Sequence, residues 1–311
     1  MSWVKKGLIF CPDGTDEWMR SHAAIPFADC INDDTTRIYF SSRNGEGKSM
    51  PFSMDVQSGN VAEIISINSE PILGLGKLGS FDDSGIMPSC IVNSGYRKYM
   101  YYIGWNPQVT VSYRLSIGLA ISDDGGKSYR KYSEGPVCDR DIYEPYFNTA
   151  PYVILENGLW RMWYISCTEW VMVNNYPEPK YHVKYCESKD GIVWKKDGTV
   201  CLDYDEKHQA IGRPSVLFEN GVYKMYYSYR KLEGYRSAED AGYRLGYAES
   251  LDGIKWSKCD NDLLVTPSDN QGDWDFQMIE YCHVFSSLGN KIMLYNGNGF
   301  GKTGIGFAVY E

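Results

Sequence analysis

The 311 residues are 43% hydrophobic and 15% aromatic and carry a formal net charge of −9. A chain of this kind can bury a large core, and its acidic balance argues against a nucleic-acid-binding surface. The nine cysteines form no Cys-x-x-Cys pair and show no metal-ligand spacing, so we expect free, buried thiols.

The first predicted strand runs from Trp3 to Cys11. Its residues 3–9 match residues 194–200 of a later repeat, while the last repeat ends at Glu311, where such a segment is due. We therefore expect the N-terminal strand to complete the C-terminal repeat, which removes an exposed sheet edge. The N-terminus has no signal-peptide pattern, and no apolar run is long enough to span a bilayer. We therefore expect a cytoplasmic protein with neither membrane nor nucleic-acid partners.

An apolar strand recurs along the rest of the chain at a nearly fixed spacing of 62 to 68 residues. Four of these strands start at a proline and the fifth starts at a cysteine: Pro26, Pro88, Pro151, Pro214 and Cys282. A period of this size is typical of repeat architectures. Five units of about 60 residues fit a propeller of four-stranded blades.

A turn motif recurs in phase with these strands. Ser-x-Asp-Gly-x-x-Trp occurs at 188–194 and 250–256, and a longer variant ending in Tyr occurs at 122–129. Asp-Gly is a tight-turn signal, and the segments between are rich in aromatic and β-branched residues, as strands require. We predict one all-β domain, residues 1–311, folded as a five-bladed β-propeller. The predicted blades are about 12–70, 71–140, 141–203, 204–268 and 269–311 plus 1–11.

Charged residues precede each of the recurring apolar strands. In a propeller these strands line the central channel, so the segments before them meet at one mouth, where convergent polar groups suggest a site. The charged residues are Asp16, Glu17, Arg20, His22, Asp82, Asp83, Glu144, Glu206, His208, Arg213, Asp275 and Glu280. Long insertions at 105–114, 168–181 and 230–243 are expected to overhang this face.

The repeats and the segment Gly212-Arg213-Pro214-Ser215-Val216 resemble the five-bladed propeller glycoside hydrolases, which include fructosidases, levansucrases, arabinofuranosidases and mannoside phosphorylases. Residues 81–85, 211–214 and 295–304 are similar to an uncharacterised bacterial branch of that group, often found beside surface-polysaccharide genes. The resemblance covers essentially the whole chain. It implies catalysis by carboxylates from different blades, one protonating the leaving oxygen and the other acting as nucleophile or activating water.

Two positions depart from the pattern of the family. Many members carry Asp directly before the blade-two proline, where Met87 stands, and arabinofuranosidase-like members carry Glu where Thr149 stands. The corresponding slot is filled only in blade five, by Glu280. Either the catalytic acids have moved to the preceding loops or the chain has lost that hydrolysis.

The candidate catalytic carboxylates are Asp82, Asp83, Glu206 and Glu280. The two aspartates are the first choice, although an aspartate there can also cap the turn at Ser84. Glu206 lies in a polar segment, and its alternative is a solvated loop acid. A carboxylate at Glu280 is costly between apolar neighbours unless it is paired, so its alternative is a structural ion pair.

The candidate substrate-binding residues are Arg20, His22, Arg43, Trp105, Arg213, Asp275 and Asn298. The guanidinium of Arg213 can hold a carboxylate or phosphate, or pair with a site acid. Trp105 can stack on a sugar or belong to a blade core, and Asp275 and Asn298 have alternatives as turn residues. The arginines favour a charged sugar, a sugar phosphate or a nucleotide-sugar over a neutral sugar.

The leading hypothesis is a glycosidase-like hydrolase of a small anionic or activated saccharide in surface-polysaccharide metabolism, using two of the four carboxylates. A phosphorylase is the second hypothesis, with Arg213, Arg20 and His22 holding phosphate. A carbohydrate-binding propeller without turnover is the third, and Met87 and Thr149 favour it. The sequence has no zinc, Rossmann, P-loop or calcium-loop pattern, so we expect neither metal nor cofactor. The oligomeric state stays open.

Overall fold

A computed structural model describes residues 2–236, 241–263 and 265–311, and within them the chain forms twenty β-strands. The strands are β1 (Trp3–Phe10), β2 (Ser21–Cys30), β3 (Thr35–Arg43), β4 (Ser49–Gln57), β5 (Asn60–Ile67), β6 (Gly85–Ser94), β7 (Arg97–Pro107), β8 (Tyr113–Ser122), β9 (Arg130–Lys131), β10 (Asn148–Glu156), β11 (Leu159–Val173), β12 (Tyr176–Ser188), β13 (Lys195–Leu202), β14 (Ala210–Glu219), β15 (Val222–Arg230), β16 (Arg244–Ser250), β17 (Ser257–Lys258), β18 (Glu280–Ser287), β19 (Asn290–Asn296) and β20 (Ile305–Tyr310). A 3-10 turn (Asp260–Asp262) and a short helical segment, α1 (Asn298–Gly301), complete the regular structure of these residues.

The strands pair in five groups of four antiparallel neighbours, β2–β5, β6–β9, β10–β13, β14–β17 and β18–β20 with β1. One parallel bridge, between Ser49 and Gly85, joins the first two groups. The first strands of the groups contact one another in the cyclic order β2, β6, β10, β14, β18 and back to β2. Because this cycle closes, the sheets form a ring, and the fold is a β-propeller. We interpret each group as one blade.

The N-terminal strand β1 pairs with β20, and Trp3 lies opposite Tyr310. This confirms that the first strand of the chain completes the last sheet. The hairpin turns also follow the sequence: Asn157-Gly158 and Asn220-Gly221 both have two successive residues with positive φ, as a type I′ turn requires.

The Ser-x-Asp-Gly turns fasten each sheet to the sheet before it. The carbonyl of Gly191 accepts a hydrogen bond of 2.7 Å from the hydroxyl of Tyr101, and the carbonyl of Gly253 accepts one of 2.7 Å from the indole of Trp163. Both donors lie on the second strand of the preceding group. The motif therefore forms the same bond at two junctions between neighbouring sheets.

The first strands share a local irregularity beside the recurring proline or cysteine. Ile25, Ala150, Arg213 and Tyr281 have positive φ, between 45° and 56°, and the strand pairing shifts register there. A β-branched or bulky residue rarely adopts this conformation, and such strain tends to occur where a site is built. All four residues line the cavity described below.

The insertion expected at 168–181 is largely regular structure. Strands β11 and β12 continue as a paired hairpin to Val173 and Tyr176. Its tip is tied to the β7–β8 connection by a hydrogen bond of 2.7 Å from Ser112 to Tyr176. The insertion is therefore an extension of the third sheet, and this hydrogen bond holds its tip in place.

Candidate functional site

A cavity of about 370 Å³ lies at one end of the central channel. Its walls come from the residues just before the recurring proline or cysteine and from the connections of second to third strands. Nine aromatic residues line it: Trp105, Tyr113, Phe147, Tyr176, Tyr181, Tyr235, Tyr243, Tyr281 and Phe300. Aromatic walls with a few polar groups are typical of small-molecule sites, and aromatic faces suit the apolar faces of sugar rings.

Arg213 closes the channel beneath this cavity. Its guanidinium donates to the carbonyl oxygens of Cys282 at 2.9 Å, Ser89 at 3.1 Å and Pro26 at 3.2 Å. These carbonyls belong to the first strands of three other groups, so one side chain ties four strands of the ring. The sequence predicted a carboxylate or ligand partner for Arg213, and the structure gives it backbone carbonyls.

Arg43 is a different kind of cation in the same cavity. Its guanidinium has no hydrogen-bond or ion-pair partner among residues 2–236, 241–263 and 265–311. His22 lies near it, and burial together with the charges of Arg43 and Lys302 lowers the pKa of His22 to about 4. His22 is therefore neutral at pH 7, and Arg43 carries positive charge into the cavity.

The described lining residues include no aspartate and no glutamate. Met87 and Thr149, the two positions at which the sequence departs from the pattern it resembles, both line the cavity, and the buried hydroxyl of Thr149 has no hydrogen-bond partner in the described chain. The wall thus has an apolar side chain and a hydroxyl group at these two positions.

Glu280 lies behind the wall, next in sequence to Tyr281. It is fully buried, its Oε1 accepts a hydrogen bond of 3.0 Å from Asn296, and its Oε2 has no partner in the described chain. Burial raises the pKa of Glu280 well above its usual value, although Asn296, Tyr281, Arg230 and Arg43 oppose the shift. Burial therefore favours the protonated carboxyl group of Glu280, which has no ion-pair partner in the described chain.

Three of the predicted loop acids each join a structural clasp, one in each of three groups. Asp82, Glu144 and Asp275 each accept a hydrogen bond from the tyrosine 20 residues further on, which are Tyr102, Tyr164 and Tyr295. A lysine of the outer strand completes the charge balance: Lys131 lies 2.7 Å from Asp82, and Lys5 lies 2.6 Å from Asp275. These buried acids are satisfied by protein groups and do not line the cavity.

In the fourth group the acid comes from a different part of the chain. Tyr227 donates to Asp260 at 2.6 Å, and His208, in the loop before β14, contacts Asp260 at 2.7 Å. Glu206, two residues earlier, is exposed to solvent. Asp83 accepts bonds from the amide of Gly79 and the hydroxyl of Ser84, which is the capping role named as its alternative.

The remaining predicted binding residues divide between the cavity and the surrounding scaffold. His22, Arg43, Trp105 and Arg213 line the cavity. Arg20 is exposed outside it. Asn298 accepts from the amides of Gln277 and Met278 and so holds a loop together. The structure therefore brings four of the seven residues together.

Because the clasp acids do not line the cavity, disrupting the clasp is expected to lower the stability of the protein without changing ligand binding. We expect Tyr102→Phe to lower the free energy of unfolding by roughly 1.5–3 kcal/mol, because a hydrogen bond to a buried charged carboxylate is lost. Urea unfolding measures this. Tyr226→Phe is the matched control, since Tyr226 is a buried residue whose hydroxyl has no hydrogen-bond partner in the described chain. Equal stability of the two variants would contradict the clasp.

Several cavity residues were not predicted from the sequence. Tyr113 begins β8, Tyr181 lies within β12, and Tyr243 directly precedes β16. Arg230 ends β15 and lies behind Tyr181 and Tyr243. Arg236 lines the mouth and is held by Glu178 through bonds of 2.9 and 3.1 Å. The recurrence of tyrosine in or just before third strands was the signal that could have revealed the three tyrosines.

Two curated proteins resemble this chain along its whole length. They are the uncharacterized proteins MT1551 (strain CDC 1551 / Oshkosh) and Rv1502 (strain ATCC 25618 / H37Rv) of Mycobacterium tuberculosis. Each is 38% identical over 312 residues, covering 100% of this chain and 100% of the relative. The chain belongs to their family. No protein-family model matches this family member.

Solved structures similar to this family member are glycoside hydrolases. One glycoside hydrolase has a TM-score of 0.74 at 17% identity, covering 98% of this chain and 90% of its own. A thermostable family-43 glycoside hydrolase has a TM-score of 0.67 at 14% identity, covering 96% and 91%. A Bombyx mori GH32 beta-fructofuranosidase in complex with sucrose has a TM-score of 0.62 at 14% identity, covering 97% and 61%. At these identities the likeness concerns the fold, and it confirms the predicted all-β propeller.

Two features are absent from the described residues. No group of three or more His, Cys, Asp or Glu side chains there is arranged to hold a metal ion. None of the helices described has the length and apolar character needed to cross a membrane.

Proposed function

We propose that the cavity binds a small anionic saccharide and that the protein cleaves a glycosidic bond there. The observation that carries the proposal is Arg43, whose guanidinium lines the cavity without a hydrogen-bond or ion-pair partner in the described chain. A guanidinium in this position favours a carboxylate or phosphate group on the ligand. The glycoside hydrolase fold of the structural neighbours supports a saccharide as the rest of the ligand.

The balance of charge in the wall supports the same ligand. The described lining residues include Arg43, Arg213 and Arg236 but no carboxylate. Arg236 is neutralised by Glu178, and both Nη atoms of Arg213 donate to carbonyls. Arg43 is the lining arginine whose whole guanidinium has no partner in the described chain. We expect a single anionic group on the bound sugar to face Arg43.

The binding test compares two arginine variants. We expect Arg43→Met to weaken the binding of a uronic acid disaccharide or a sugar phosphate roughly 10- to 100-fold, because a charge-assisted hydrogen bond is lost. Isothermal titration calorimetry measures it, after a thermal-shift screen of sugar acids, sugar phosphates and nucleotide-sugars. Arg20→Met is the matched control, because Arg20 is exposed outside the cavity. Failure of every anionic saccharide to bind, or equal affinity of both variants, would overturn the proposal.

A binding role without turnover is the second candidate. The absence of aspartate and glutamate from the described lining residues favours it, because glycosidases ordinarily use a carboxylate pair. Incubating the bound saccharide with the protein, with and without inorganic phosphate, separates the possibilities. Cleavage in both conditions indicates hydrolysis, and cleavage only with phosphate indicates phosphorolysis. Retained affinity without any product indicates binding alone.

A further inference from the structure

A group of three side chains lies where the cavity meets the third and fourth sheets. The hydroxyls of Tyr181 and Tyr243 are hydrogen-bonded to each other, and both residues line the cavity. The Nε–H of Arg230 points to both oxygens, at 3.3 Å from Tyr181 and 3.1 Å from Tyr243. All three residues are at least nine-tenths buried.

We propose that the Tyr181–Tyr243 pair, backed by Arg230, is the proton donor and acceptor for glycosidic-bond cleavage in this cavity, in place of a carboxylate pair. The inference rests on the proposed function, since it assigns the acid–base chemistry of that same site. Tyrosine is among the side chains that act as general acids and bases when they are positioned.

One of the two hydroxyl protons of Tyr181 and Tyr243 is free to bond to a ligand. Each tyrosine has one O–H, and one of the two protons forms the bond between the hydroxyls. Both oxygens already accept from Arg230, so the second proton has no acceptor within the group. That proton is available to an oxygen atom of a ligand in the cavity.

Arg230 is held rigidly in its supporting role. Its other N–H groups donate to the carbonyls of Pro179 and Lys231, both at 3.0 Å, and its guanidinium stacks 3.7 Å from the ring centroid of Tyr235. No described carboxylate lies within ion-pair distance of it. A buried cation without a counter-ion stabilises a negative charge that forms beside it, and here that charge is a tyrosinate.

The protonation state of Tyr243 suits the donor role. Burial, followed by the neighbouring Tyr181, raises the pKa of Tyr243 well above its usual value, and the charge of Arg230 acts in the opposite direction. Tyr243 is therefore protonated at pH 7. Its conversion to tyrosinate occurs only with transfer of the proton to a developing alkoxide.

The step balances without a cofactor. The bond between the anomeric carbon and the leaving oxygen breaks, its electron pair goes to that oxygen, and the tyrosine proton is transferred there. The tyrosinate accepts the Arg230 N–H and the partner hydroxyl. A water oxygen then bonds to the anomeric carbon, and the water proton returns to the tyrosinate. The sum is one glycoside plus one water giving two hydroxyl products.

The test uses the dependence of rate on the leaving group. The probes are the 4-nitrophenyl and methyl glycosides of glucuronic and galacturonic acid, both anomers of each. An aryl leaving group departs without a proton, whereas methoxide needs one. We expect Tyr181→Phe and Tyr243→Phe to lower kcat on the methyl glycoside roughly 100-fold or more and on the 4-nitrophenyl glycoside less than about tenfold.

The chain offers a matched control in a second tyrosine pair. Tyr39 and Tyr129 are hydrogen-bonded at 3.1 Å, are buried, and do not line the cavity. Tyr129→Phe removes the same kind of bond and should leave the ratio of the two rates unchanged. If the cavity variants match Tyr129→Phe on both probes, the tyrosine pair is not the proton donor although the hydrolysis stands. If the wild-type protein cleaves none of the probes, the assignment and the proposed cleavage both fail, while loss of anion binding in Arg43→Met still supports the cavity as a binding site.

Discussion

Replacing Arg213 by methionine is expected to lower the free energy of unfolding by roughly 3–5 kcal/mol. The carbonyls of Pro26, Ser89 and Cys282 lose their guanidinium donor, and each buried carbonyl left unpaired costs about 1–3 kcal/mol. Removing the fully buried charge offsets part of that sum, because burial disfavours it and lowers the pKa of Arg213. Urea unfolding at pH 7 measures the difference from the wild type.

The contrast with Arg43, which also lines the cavity, makes this prediction specific. Arg43→Met removes a guanidinium with no protein partner in the described chain, so it should change the free energy of unfolding by less than about 0.5 kcal/mol. The two variants thus separate the arginine that holds the ring from the arginine that faces the ligand. A stable Arg213→Met protein, or equal losses in both variants, would show that the guanidinium tie does not stabilise the ring.

Glu280→Gln is expected to remove the contribution of Glu280 to the pH dependence of stability. Because burial raises the pKa of Glu280, the folded protein keeps the proton that the unfolded chain releases above a pKa of about 4.5. The contribution of Glu280 is therefore greatest below that value and is lost at about 1.4 kcal/mol per pH unit as pH rises toward the folded pKa. Glutamine keeps the acceptor for Asn296 and carries no titrating group.

The measurement is the difference between Glu280→Gln and the wild type in urea unfolding at about pH 5, 6 and 7. A difference is needed because His22 and His283, with pKa values lowered to about 4 and about 3, give the opposite slope in both proteins. We expect the variant to gain stability relative to the wild type as pH rises from 5, by up to about 1.4 kcal/mol per pH unit below the folded pKa of Glu280. A constant difference would mean that Glu280 is ionised in the folded protein.

The fold could be predicted because its signals are local and repeated. The Asp-Gly and Asn-Gly turns and the recurring proline each act within a few residues, so their period revealed the sheets. The match between residues 3–9 and 194–200 likewise revealed that β1 belongs to the last sheet. Strand lengths were harder to predict from the sequence, since pairing with a neighbour decides where β11 and β12 end.

The site was harder to predict because its residues depend on partners far along the chain. The repeat period places Asp82 at the correct mouth of the channel. Its pairing with Lys131 and Tyr102 depends on the three-dimensional fold. The spacing of 20 residues between each loop acid and a tyrosine was present in the sequence and indicated a structural bond. Arg213 was assigned to the channel, yet its carbonyl partners come from three other strands that no local pattern connects to it.

The pairing of β1 with β20 has a consequence for biosynthesis. The strand Trp3–Phe10 is made before the other described strands, and its partner Ile305–Tyr310 is made after them. Until then its apolar residues, including the otherwise buried Trp3, lack their sheet, and a lone strand edge invites pairing with other chains. The propeller therefore stays an open arc while its sheets are being made, and the vulnerable period ends only when β1 pairs with β20.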